Sequence, residues 1–184
     1  QTAKLLERLK AEGYLVRSVS FPNYDSPAAE PIKMYLRGDF GKEANSVNAY
    51  VASTLYAIDR FASYRQDWQR FYEEGGIIIA DRYTTSNMVH QMIKYTDKEE
   101  RNTFLQWLDQ LEYDLYGLPR PDAVILLDMP LSLSKALLAE RTGKTGGNTG
   151  DIHEQDTSHL TAVHEAYDML VNTYDWHRVH CENE

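Results

Sequence analysis

One cysteine, Cys181, leaves the chain with no means of forming an internal disulfide, so noncovalent packing must hold whatever fold it adopts. No apolar run approaches the roughly 20 residues of a membrane-crossing helix, and no stretch has the pattern of a signal peptide. The expectation is a cytoplasmic protein that does not insert in a membrane. Basic residues are also scarce: 19 Lys and Arg stand against 28 Asp and Glu, a formal charge of -9 and a pI near 5.1. Such a balance argues against a protein that coats DNA or RNA, whose affinity comes from clustered cations, but a few placed cations could still hold a nucleotide. Internal repeats are lacking too.

What is present is ordinary globular composition, 42% hydrophobic and 26% charged over 184 residues, enough for one domain with a sizeable core. Leu5, Leu6 and Leu9 recur at helical spacing before Gly13, a C-cap glycine, so residues 1 to 11 read as helix. Nothing starts that helix, because Gln1 is a poor N-cap; the expectation is that a segment upstream is missing. Tyr14 to Ser20 reads as a strand running into Phe21-Pro22. Gly76 to Ala80 and Ala123 to Leu127 are apolar without alternation, as strands buried on both faces would be, and Asp81 and Asp128 follow them directly. A short buried helix has the same pattern. Helical stretches near 46 to 74, 85 to 94, 98 to 115 and 132 to 141 lie between and after these runs. Late in the chain Leu160, Val163, Tyr167 and Leu170 mark one helical face, and Trp176 to Cys181 reads as a last short strand. The alternation is that of an α/β fold with a parallel sheet, whose loops would gather ligand-binding residues at one edge.

Three groups of residues could carry chemistry. Asp81-Arg82 sets a carboxylate that can orient hydrated magnesium beside a guanidinium that can clamp phosphate oxygens. The same pair could equally be a surface ion pair ending a strand. Tyr56 and Arg60 share a helical face and could grip an aromatic base, or be a core tyrosine with an arginine at its rim. Residues 142 to 150 hold four glycines and read as a mobile loop or a plain linker.

In their order these segments resemble the thymidylate kinase family over essentially the whole length. Phe21-Pro22-Asn23-Tyr24 resembles its Phe-Pro segment, and Thr54 to Arg60 its base-binding helix. Asp81-Arg82-Tyr83-Thr84-Thr85-Ser86-Asn87 resembles the signature after the central strand, and Gly117-Leu118-Pro119-Arg120-Pro121-Asp122 the approach to the next one. Arg141, the glycine-rich stretch and Asp151-Ile152-His153-Glu154 stand where the family has its lid. The resemblance implies a nucleoside-monophosphate-kinase-like three-layer P-loop fold with a parallel central sheet. It implies a single kinase domain over 1 to 184 with a lid at about 141 to 154. ATP would phosphorylate dTMP with Mg2+ present, in a homodimer whose interface is a helix near 46 to 74. By the same resemblance Phe21 would contact the substrate, Pro22 would line the pocket for the thymine methyl, Tyr56 would stack on the base, and Arg60 and Asn87 would bond its polar edge. Arg82 would hold the dTMP phosphate, Asp81 would organise magnesium, directly or through water, and Arg141 with Lys144 would cover ATP. Glu154 would reach the substrate or, with Asp151, form a helix capping box.

The chain also departs from the pattern. It has no Gly-x-x-x-x-Gly-Lys-Ser/Thr loop, and Gln1 to Leu6 resembles the family helix that follows that loop. The expectation is a native chain that begins earlier and continues into a helix beyond Glu184. His90 and His153 stand where relatives often carry Tyr, which leaves the sugar-side contacts of His90 open. Two rivals remain: a deoxynucleoside kinase, which would need a carboxylate base for a sugar hydroxyl, and a non-catalytic nucleotide-binding module.

Overall fold

The computed structural model describes residues 1–43, 45–134 and 157–181. Helix α1 (Thr2–Ala11) begins with no side-chain cap and ends before Gly13, whose φ of +90° lets the chain turn back. It leads into β1 (Val16–Ser20), which pairs in parallel with β2 (Ile77–Asp81) in the register Val16 to Ile77 through Ser20 to Asp81. The ladder runs one rung further, because the Phe21 amide donates to the Asp81 carbonyl at 3.1 Å. A second parallel pair joins β3 (Ile125–Asp128) to β4 (His177–His180), and there too the next amide, of Cys181, donates to the Asp128 carbonyl at 2.7 Å.

Helices join and cover these pairs. A short helix α2 (Glu30–Leu36) precedes α3 (Ala49–Ser63), which starts where the Val51 amide donates to the Asn48 side chain. The long helical stretch of 46 to 74 is three pieces: α3, a π-helical turn at Tyr64–Trp68, and α4 (Gln69–Glu73). Helix α5 (Thr84–Met92) follows β2 after two residues. Asp97 caps α6 (Lys98–Asp109), with Glu99 and Glu100 complementing the helix dipole, and a second π-helical turn, Gln110–Leu115, extends it. Helix α7 (Thr157–Thr173) leads to β4. Arg178 ties that strand back to the helix and to β3, donating to Asp168 at 2.6 Å and Asp128 at 3.3 Å.

The core lies among the helices and beneath β1 and β2. Val89 and Met92 of α5 meet Phe104, Leu105 and Leu108 of α6 and Leu170 of α7. Phe21, Tyr64, Trp68, Tyr83 and Leu118 form an aromatic cluster that packs Val19 and Ile78 of the first pair. The strands are less covered than their apolar runs suggest. Ile77 is 39% exposed, and burial alternates along β3, with Ile125 and Leu127 at 54% and 46%. Only one face of β3 is packed by described residues, and each described ladder has only two strands. Among the described residues, no helix is long and apolar enough to cross a membrane.

Candidate active site

The parallel ladder of β1 and β2 decides where the site forms. Both strands end at the same edge, so the residues that leave them, Phe21-Pro22 and Arg82-Tyr83, emerge side by side. The Phe21-Pro22 peptide bond is cis. Across from them α3 and α5 pack together. Tyr56 and Arg60 are one turn apart on α3; Ser86, Asn87, His90 and Gln91 occupy one face of α5. All of these residues line one cavity of about 230 Å³, closed by Tyr24, Leu36 of α2 and Leu160 of α7.

Each functional side chain is held in its own way. Arg82 has a φ of +64°, the left-handed region that a residue with a Cβ enters at a cost of about 1–3 kcal/mol. Its Nη2 lies 2.9 Å from His90 Nε2; since a guanidinium only donates, His90 accepts there through an unprotonated nitrogen. Arg60 is buried and forks onto Glu112, its Nε donating to Oε2 at 2.8 Å and its Nη2 to Oε1. Burial alone would lower the Arg60 pKa, but the charge and hydrogen bonds of Glu112 outweigh it and hold the guanidinium above its ordinary value. Asn87 donates through Nδ2 to the Ser53 carbonyl and to Glu112 Oε1, both at 3.2 Å. Tyr83 donates its hydroxyl to the Pro119 carbonyl, and burial raises its pKa well above the usual phenol range. Tyr56 meets the edge of the Tyr35 ring, centroids 6.4 Å apart.

The loop after β1 is braced from α3. Asp59, buried beside Arg60, accepts from the Asn23 amide at 2.9 Å. Burial raises the Asp59 pKa despite that bond and the Arg60 charge. Asp59 fixes the loop and is not among the residues lining the cavity.

Seven of the site residues expected from sequence therefore meet in one place: Phe21, Pro22, Tyr56, Arg60, Arg82, Asn87 and His90. Asp81 ends β2 immediately before Arg82 but is not part of the cavity lining. Arg141, Lys144, Glu154 and the rest of the lid segment lie outside the described residues. The cavity also uses Leu36, Ser86, Gln91 and Leu160, which sequence reasoning did not assign, and depends on Glu112 behind it. Phe104, Leu108 and Glu112 repeat every four residues, so periodicity alone assigns Glu112 to the buried stripe of α6. An acid on a buried stripe calls for a buried cation, and that was the available signal.

Among the described residues the lining is two arginines, a histidine, aromatic, apolar and polar groups, and no carboxylate, in a chain whose net charge is -9. Such a site suits an anion attached to a flat, partly polar ring. Among the described residues no cluster of three or more His, Cys, Asp or Glu side chains could hold a metal ion. Asp81, a single carboxylate at a strand exit, fits a magnesium that keeps most of its waters and takes its other ligands from phosphates.

Comparison with known proteins bears on this geometry. The family profile described as Thymidylate kinase matches residues 1–184. The thymidylate kinase of Mycobacterium tuberculosis is 30% identical over 156 residues, covering 83% of this chain and 70% of the relative. A probable thymidylate kinase of Pyrobaculum aerophilum is 27% identical over 117 residues, covering 64% and 55%. In fold, the chain is similar to the solved thymidylate kinase of Candida albicans, with a TM-score of 0.65 and 19% identity over 97% of this chain and 77% of that one.

Proposed function

The chain belongs to the thymidylate kinase family, and from that membership we propose that it moves the γ-phosphoryl group of ATP to dTMP, giving dTDP and ADP for dTTP synthesis. The observation that carries the reading is the cavity lining, which among the described residues offers cations and no carboxylate. An acceptor that is already a phosphate anion needs no general base, only placement and charge neutralisation. A deoxynucleoside kinase would need a carboxylate facing a sugar hydroxyl, and Asp59, the acid of α3 that reaches the loop after β1, bonds the Asn23 amide and does not line the cavity.

In this reading Arg82 clamps the dTMP phosphate. Its strained backbone and the acceptor bond from His90 hold the guanidinium ready before the nucleotide arrives. Tyr56 covers one face of the thymine, Arg60 and Asn87 bond its polar edge, and Phe21 and Pro22 border the 5-methyl group. Magnesium would arrive with ATP and be steadied through water by Asp81; when bound it offsets charge on the transferred group. Arg141 and Lys144, outside the described residues, are assigned to the ATP side, as is the lid segment at about 141 to 154. The chain is read as one kinase domain of a cytoplasmic enzyme. A homodimer is supported by the outer stripe of α3, where Val51, Ile58 and Phe61 are exposed, with Leu115 also exposed on the π-helical turn after α6.

The test is an assay of the full-length protein with Mg-ATP against dTMP, dUMP, dCMP, dGMP and thymidine. We expect dTMP to lead, dUMP to follow with a loss of about 1–3 kcal/mol for the missing methyl, and thymidine to be inert. Preference for thymidine, or for dCMP or dGMP, would overturn the reading.

A further inference from the structure

The polar character of the cavity is set by a residue that does not line it. Glu112 lies in the π-helical turn after α6 and is completely buried. Its carboxylate engages both groups assigned to the base edge: Arg60 through Nε and Nη2, and Asn87 through Nδ2. The Asn87 amide end also donates to the Ser53 carbonyl. A carboxylate and a carbonyl only accept, so the side chain cannot be turned over without setting Oδ1 against two acceptors. The oxygen is thereby committed to the other side. Asn87 Oδ1 is buried and among the described residues has no hydrogen-bond partner, although the residue, 4% exposed, lines the cavity. An orphaned buried acceptor is a cost that a donor on a ligand removes. Arg60, for its part, keeps Nη1 outside the fork onto Glu112.

We propose that Glu112 is the positioning residue that sets base choice: it fixes Arg60 as a donor and Asn87 as an acceptor, which selects a pyrimidine edge with N3–H beside a carbonyl. Thymine and uracil have that edge. Cytosine presents a bare N3 to the Asn87 oxygen and an amino group to the Arg60 donor, a mismatch at both points. The inference rests on the reading of this cavity as the dTMP site, and it names what gives that site its selectivity.

Glu112→Gln in the full-length protein tests it. The new amide is nearly the same shape but has one acceptor end where the carboxylate had two, so its Nε2 must face either Arg60 Nε or the Arg60 Nη2 and Asn87 Nδ2 pair, and the base-edge groups are no longer both held in place. The dTMP to dCMP ratio of kcat/KM is expected to fall at least tenfold, mainly through the KM for dTMP. A merely structural role would lower both substrates together and leave the ratio alone. If wild type prefers dTMP and E112Q keeps that ratio, the inference fails and the reading of the cavity stands; if wild type itself does not prefer dTMP, the cavity reading fails. Should E112Q not fold, the wild-type protein supplies the answer by NMR. The Asn87 side-chain amide, assigned by its loss in Asn87→Asp, should exchange slowly without ligand and remain protected with dTMP bound. Exchange at the rate of an exposed asparagine, or an amide proton donated to the nucleotide, would overturn the proposal.

Discussion

Lys94, two residues beyond α5, offers a prediction whose size follows from its surroundings. Its ammonium donates to the Val47 carbonyl at 2.7 Å and the Tyr35 hydroxyl at 3.4 Å, and sits 5.7 Å from the Tyr35 ring centre. No carboxylate pairs with it among the described residues, and burial lowers its pKa from 10.5 to about 8. The sign follows from proton counts. Below pH 8 both folded and unfolded chains carry the proton, and the folded one bears the full cost of burying it. Between about 8 and 10.5 the unfolded chain binds more proton, so stability rises with pH. The drop from 10.5 to about 8 corresponds to about 3 kcal/mol at most. Partial exposure of the ammonium reduces that to about 1–2 kcal/mol, of which about 1 kcal/mol should be gained between pH 7 and pH 9.5. Urea unfolding of wild type and Lys94→Met at those two pH values isolates the term, because other groups titrating there cancel in the difference. The stability difference should move in favour of wild type by about 1 kcal/mol on going to pH 9.5. A difference that stays constant, or moves the other way, would refute the assignment. Lys94 also braces Tyr35, whose ring meets Tyr56, so a modest rise in KM for dTMP is expected in the variant.

Replacing Arg82 with Ala should lower kcat/KM on the order of 10²-fold by removing charge-assisted bonds to the acceptor phosphate, as read from steady-state kinetics. Arg82→Gly should be equally slow but more stable than Arg82→Ala by about 1 kcal/mol, because glycine occupies a φ of +64° without strain; equal melting points would contradict the strain. Arg60→Met should destabilise the protein by about 3–5 kcal/mol by stranding Glu112, and adding Glu112→Leu should recover much of that loss in denaturant titrations. Ile58→Glu should shift the protein to monomer in sedimentation velocity if the exposed stripe of α3 is the dimer interface; an unchanged species would move the interface elsewhere.

Local pattern made most of the architecture legible. Helix α6 lies within the helical stretch expected near 98 to 115, and β2 and β3 were legible as apolar runs ending in Asp81 and Asp128. The residues of the cavity were legible because they sit where strands end or one turn apart on a helix, as Arg82 and the pair Tyr56 and Arg60 do. What escaped depends on contacts between distant segments. Arg60 and Glu112 are 52 positions apart, and no local pattern joins them. The left-handed backbone of Arg82 was equally hidden, since arginine has no intrinsic preference for it. The apolar runs of β2 and β3 suggested burial on both faces, whereas burial depends on what packs against each side, which a run of isoleucines does not encode.

The Phe21 amide bonded to the Asp81 carbonyl has an evolutionary consequence. It makes the wall of the nucleotide pocket and the phosphate clamp adjacent steps of one staircase, aligned by counting residues along two strands. Side chains on those strands can be exchanged as long as they pack. A single residue gained or lost in either strand would carry Phe21-Pro22 past Arg82 by about 3.3 Å and turn alternate side chains to the wrong face. Length in β1 and β2 should therefore be under tighter selection than identity, and natural insertions should collect in the connections between elements.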